Sequence, residues 1–254
     1  MTYNECNEFL DSLIIFGKEL IQHGAEIQRV EDTLSRICNA YDFEKTEIYA
    51  TVGLIVVTIK APNGITLTQS GRINNSANDL GVIEKLNHLS RKICTTKPPV
   101  KDLKNMINEI LDTELNMNYI TLGNILAGSS FTLFFGGTLL DGLICAVIVL
   151  LVFIIDKFFR VSNENKLIYT LIMSAISGFL AILFTYIGLG NNLDKIIIGV
   201  VMVFVPTLAI VNGIKDIFYR DIVSGVYRII EATFIATSMA VGFGIPLFML
   251  RGII

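Results

Sequence analysis

Tryptophan is missing from this chain, histidine occurs twice, cysteine four times and proline five times in 254 residues. His23 and His88 stand in no triad, zinc or P-loop context, so neither recommends itself as a catalytic base or a ligand. Cys6, Cys38, Cys94 and Cys145 form no close pair and no metal-type spacing, which suits buried thiols in a reducing compartment. The residues therefore predict no metal and no cofactor, and an enzyme is not expected. A formal charge of −3 with no basic face gives no reason to expect a nucleic-acid partner. The opening MTYNECNEFLD is polar and acidic where a secretory leader would be basic, so the N-terminal region is expected in the cytoplasm.

Charge is also scarce by region. Residues 1–118 carry most of it, whereas 119–254 consist largely of Leu, Ile, Val, Phe, Gly and Ala. A helix crossing a bilayer needs about 20 such residues. Five spans can be drawn, at about 119–137, 139–158, 167–189, 196–214 and 224–250. The expected fold is a membrane α-helical bundle of about five transmembrane helices with an N-terminal cytoplasmic α+β domain. Lys157, Arg160, Lys166, Lys215, Arg220 and Arg228 fall on one side, against Lys195 and Arg251 on the other. That bias places the N-terminal domain inside and the C-terminus outside a bacterial cytoplasmic membrane.

Within the first half, Phe9, Leu13, Phe16 and Leu20 mark one helical face, and Ile27, Val30, Leu34, Ile37 and Tyr41 another, with Gly24 between the helices. Glu26 with Arg29, and Asp32 with Arg36, are spaced for surface ion pairs. The cluster Glu26, Arg29 and Asp32 is equally a candidate for gating. From Thr46 to Ile59 the period changes to two, with Gly53 as a bulge or a break into two strands. Pro62-Asn63-Gly64 supplies a hairpin turn. Ser76 and Asp79 open a further helix, and Pro98-Pro99 precedes an amphipathic one carrying Leu103, Ile107, Ile110 and Leu111.

In the second half, small residues predict close helix packing: Gly123, Ala127 and Ser130 in span one, and Ser174, Gly178, Ala181 and Thr185 in span three. Asp141 has no basic neighbour and reads either as a solvated turn residue or as an entrance carboxylate. Asn212, Asp216, Arg220, Ser224 and Arg228 recur every four residues, which on a continuous helix gives one polar stripe. Ser224, Arg228 and Glu231 share a face of span five. Ionisable groups at membrane depth cost roughly 2.5–3.5 kcal/mol each on insertion scales and persist mainly along pathways. Pro206 lies where it can break a helix, and broken helices often form solute sites in transporters.

GAEIQRVEDTLSRI (Gly24 to Ile37), followed by the Thr46–Ile59 strand run, resembles the opening of the threonine/serine exporter family, the YjjP-type membrane proteins. VPTLAIVNGIKDIFYRDIVSGVYRIIEA (Val205 to Ala232) is similar to that family's proline–Asn–Asp–Ser-Gly–Arg–Glu signature. Thr207 stands where the family commonly has glycine. The resemblance implies export of small polar metabolites (threonine, serine or a dicarboxylate such as succinate) by secondary transport. It further implies a second small membrane subunit, and self-assembly of the chain stays open. On this reading Asn212 and Arg228 orient a carboxylate, Pro206 and Thr207 supply the helix break, and Asp216 or Glu231 couples protons. Ser224 completes the group. The alternatives are a membrane-anchored enzyme or sensor acting through residues 1–118, or a regulatory subunit whose partner forms the path alone.

Overall fold

A computed structural model describes residues 1–74, 77–112, 117–159 and 165–250. The expectations for Ser76, Arg160 and Arg251 lie outside the described residues. By contacts the chain forms two units, residues 1–114 with 208–230, and residues 115–207 with 231–254.

The first unit holds α1 (Tyr3–Gln22), α2 (Ile27–Ala40), β1 (Lys45–Ala50), β2 (Leu54–Lys60), β3 (Thr66–Arg72), α3 (Leu80–Thr96) and α4 (Val100–Leu111). To these it adds most of α9 (Thr207–Phe218) and the start of α10 (Ile222–Met249). Thr2 and Glu5 form a capping box that starts α1. Asp79 opens α3 by accepting from the amides of Gly81 at 2.9 Å and Val82 at 3.1 Å. The sheet is antiparallel in the order β1-β2-β3. The run from Thr46 to Ile59 breaks into two strands, with Ala50 facing Ile55 across a turn closed by the Thr51 amide on the Leu54 carbonyl at 2.8 Å. That reversal resets the alternation, so Ile55, Val57 and Ile59 are buried while Leu54 is exposed. One core joins α1 to the sheet, α2, α3 and α4, and Phe9 sits at its end with ring centroids 4.9 Å from both Tyr41 and Phe43.

The second unit holds α5 (Met117–Phe134), α6 (Leu139–Phe159), α7 (Lys166–Tyr186), α8 (Leu193–Phe204) and the remainder of α10. Among the described residues, three helices are long and apolar enough to cross a membrane: Leu139–Phe158, Lys166–Tyr186 and Ile222–Met249. A fourth span arises if α8 and α9, separated at Val205 and Pro206, count as one broken crossing. Helix α5, drawn as a span from sequence, is not among them. Asn118, Thr121, Asn124, Ser129 and Ser130 dilute its apolar run.

Small residues set the packing here. Ser174, Gly178 and Ala181 of α7 are buried. An added methyl on Gly178 would lie 2.8 Å from Pro246 of α10, and one on Gly242 would lie 2.5 Å from the Leu171 carbonyl and 2.7 Å from Ser174. In α5 the inward face differs from the expected one. Gly123, Ala127 and Ser130 are exposed, while Gly128 and Thr132 turn inward against Cys145 and Gly199. The triplet and the inward pair both have helical spacing, so spacing alone does not choose between them.

Gly242→Leu is expected to force α7 and α10 apart and to cost about 1–3 kcal/mol, the usual penalty of overpacking. Thermal unfolding in detergent reads this as a lowered midpoint. Gly123→Ala, whose added Cβ meets nothing within 4 Å, does not lower the midpoint.

Candidate functional site

The polar stripe does not lie on one helix. Helix α9 ends at Phe218, Arg220 takes a left-handed conformation (φ 70°), and α10 begins at Ile222. Asp221 caps the new helix by accepting from the Ser224 amide at 3.2 Å. Two glycines let α9 and α10 touch. A methyl on Gly225 would stand 2.6 Å from the Gly213 carbonyl, and one on Gly213 would stand 3.0 Å from the Gly225 carbonyl. The hairpin therefore sets Asn212 and Asp216 of α9 beside Ser224 and Arg228 of α10, all four buried. Arg220 leaves the group and is exposed.

These four side chains hold the backbone of the first unit. Asn212 donates through Nδ2 to the Gly24 carbonyl at 2.8 Å, and Arg228 donates through Nη2 to the Ala25 carbonyl at 2.8 Å. Arg228 Nε lies 3.1 Å from Asp216 Oδ2. Asp216 Oδ1 accepts from the Ile27 amide at 3.3 Å. Glu26 occupies the N-cap position of α2 but makes no side-chain cap bond. The carboxylate of Asp216, 189 positions along the chain, sits at that helix N-terminus instead. Lys215 reaches Glu26 at 2.8 Å, and Ser224 Oγ accepts from the Val52 amide at 3.3 Å in the β1–β2 turn.

Chemically, this is a guanidinium and an amide aimed at two neighbouring oxygens, with a carboxylate aimed at a nitrogen just beyond them. Sequence reasoning placed Asn212, Asp216, Ser224 and Arg228 at a polar site. It missed that Gly24, Ala25, Ile27 and Val52 fill it with backbone groups. The weak cap residue at Glu26 was the available signal. Glu31 was also missed: its Oε1 accepts from the Ala50 amide at 2.8 Å, and burial pushes its carboxyl above the usual value against that hydrogen bond, with Asp221 adding to the rise. Arg29 and Asp32 remain exposed on α2.

The other candidates belong to the second unit. Glu231 lies 3.5 Å from Lys166 at the start of α7. Pro206 lies with Val205 in the break between α8 and α9, and Thr207 is the first residue of α9. Asp141 is fully buried and accepts from the Thr138 amide and hydroxyl (both 2.8 Å), the Asn191 amide (2.7 Å), and the Asn192 amide and side chain (3.1 and 2.9 Å). It binds the α5–α6 turn to the α7–α8 turn, and its acceptor sites are taken by these donors. No group of three His, Cys, Asp or Glu residues able to hold a metal occurs among the described residues.

A family model, ThrE, described as "putative threonine/serine exporter", matches residues 11–250. No curated protein and no solved structure matches the chain.

Arg228→Met leaves the Asp216 carboxylate buried beside no cation and is expected to cost about 3–5 kcal/mol. Adding Asp216→Asn should restore part of that loss. Chemical unfolding reads the energies, and hydrogen exchange at Ile27 reads the release of the α2 N-terminus.

Proposed function

Because the chain belongs to the threonine/serine exporter family, we propose that it is one component of a secondary exporter of small polar metabolites. Threonine, serine or a dicarboxylate such as succinate is the solute class. The cytoplasmic membrane of a bacterium is the setting, with the N-terminal domain inside, the C-terminus outside and a second small membrane subunit as partner. The buried Arg228–Asp216 pair gripping the start of α2 carries this reading.

Transport needs an element with two arrangements that the solute biases. The α1–α2 turn provides one arrangement, in which Arg228 and Asn212 donate to neutral carbonyls. A solute carboxylate provides the other. Hydrogen bonds to an ionised acceptor are roughly twice as strong as neutral ones, so the exchange favours the solute at Arg228. Against it stands the loss of the α2 cap, about 0.5–2 kcal/mol. These terms are of similar size, and a binding event can tip them. Glu231, paired with Lys166, is the group for proton coupling, and the helix break at Pro206, just before Thr207, ends the helical bonding of α8 as broken helices at transporter sites do. Ser224 holds the β1–β2 turn in register with the same hairpin.

The test is gradient-driven flux of threonine, serine and succinate in vesicles holding this chain with its partner subunit. Arg228→Met and Asp216→Asn should each lower flux by about tenfold or more, the loss expected for a charge-assisted contact. Unchanged flux in both variants removes the pair from the mechanism. Full flux from the partner alone makes this chain a regulatory subunit instead. For orientation, Lys101→Cys on exposed α4 should react with an impermeant maleimide only after the cells are opened.

A further inference from the structure

The first unit has a second polar feature, which shares Gly24, Ala25 and Asn212 with the clamp but adds charged groups the clamp does not use. A cavity of about 220 Å³ opens among α2, α3 and α9, beside the gripped turn. Its charged end has Lys215 Nζ 2.8 Å from Glu26 Oε1, with Arg29 on the same wall. Lys215 is half-exposed, so this ion pair is readily exchanged. Arg29 has no carboxylate partner, and the Asn87 side chain has no hydrogen bond, among the described residues. Ile83 and Val211 are among the residues that give the cavity an apolar wall.

We infer that this cavity is a binding site for a small zwitterion with a short side chain, of the α-amino acid class, distinct from the Arg228 clamp. Two cations against one carboxylate favour a ligand that brings a carboxylate, and Glu26 is placed to take its ammonium group. Asn87 supplies an amide for a hydroxyl or carbonyl, and the apolar wall takes an aliphatic stem. The size agrees: pockets enclosing drug-sized molecules run to roughly 300–1,000 Å³, and this one falls below them. Its position gives it an effect. Glu26 lies between Ala25 and Ile27, whose backbone groups Arg228 and Asp216 hold, and Asn212 both lines the cavity and holds Gly24. A ligand that draws Lys215 from Glu26 loosens the turn the clamp depends on. The site is thus an effector site through which the cytoplasmic solute level sets the state of the clamp. That regulatory consequence rests on the exporter reading, whereas the binding itself does not.

The experiment is hydrogen exchange on the full chain in lipid nanodiscs, titrated with L-threonine, L-valine and the uncharged N-acetyl-L-threonine amide. Peptides covering 80–87 report on the cavity wall alone, because α3 takes no part in the clamp. The free amino acids should protect them saturably and the uncharged analogue should not. Lys215→Met and the cavity-filling Ile83→Phe should each raise the half-saturating concentration by about tenfold or more, as for loss of a charge-assisted contact. Equal protection by the uncharged analogue overturns the proposal. So does absence of protection in a preparation that transports threonine. Protection in a preparation that moves no solute leaves the site standing and removes the exporter reading.

Discussion

A guanidinium and a carboxylate almost fully removed from water, Arg228 and Asp216, set the terms for everything around them. Burying such a pair carries a desolvation cost of several kcal/mol per ion, which mutual attraction offsets only when the remaining donors and acceptors are also satisfied. Here the remaining partners come from the other end of the sequence. Arg228 needs the Ala25 carbonyl, and Asp216 needs the Ile27 amide at a helix N-terminus. The hairpin of α9 and α10 is thus completed only by the α1–α2 turn, and that turn is capped only by the hairpin. Neither half of the arrangement is favourable by itself, which is why the contact boundary follows chemistry and not the position at which the chain becomes apolar.

Sequence periodicity was enough to read the soluble helices and their inward faces, because each buries a single stripe against one core. The hairpin turn at Pro62-Asn63-Gly64 was legible for a different reason, since only certain residues tolerate its backbone. Legibility failed where two geometries share one spacing. A four-residue period from Asn212 to Arg228 fits a continuous helix, and it equally fits two helices folded face to face about a turn. The turn at Tyr219-Arg220-Asp221 does fall between the drawn spans 196–214 and 224–250, but its exact place is unmarked, because Arg220 adopts the left-handed conformation without being glycine. The same ambiguity hid the inward face of α5, where two sets of small residues lie on different sides. Asp141 shows the limit for charges: no nearby lysine or arginine marks its partners, because five neutral donors do the work of a cation.

The polar residues suggested for one solute site fall into two chemically different groups. Asn212, Asp216, Ser224 and Arg228 bind backbone through individual directional bonds. Asp141 is instead closed within protein donors that hold two turns together, and opening it would strand several amides at once. A group with replaceable partners can switch, whereas one with many simultaneous partners tends to hold a frame rigid.

One element carries residues of both units. Helix α10 runs without interruption from Ile222 to Met249, so Arg228 and Glu231 sit about one turn apart on the same rod. Glu231 faces Lys166 at the start of α7, and further along the helix Gly242 packs closely on Leu171 and Ser174. A helix transmits displacement along its axis because its hydrogen bonds resist stretching and its packed face resists sliding by fractions of a turn. Coupling of this kind requires an element with two discrete arrangements that both sites bias. The small-residue contacts between α7 and α10, with Gly242 against Leu171 and Ser174, hold the later part of that helix without slack.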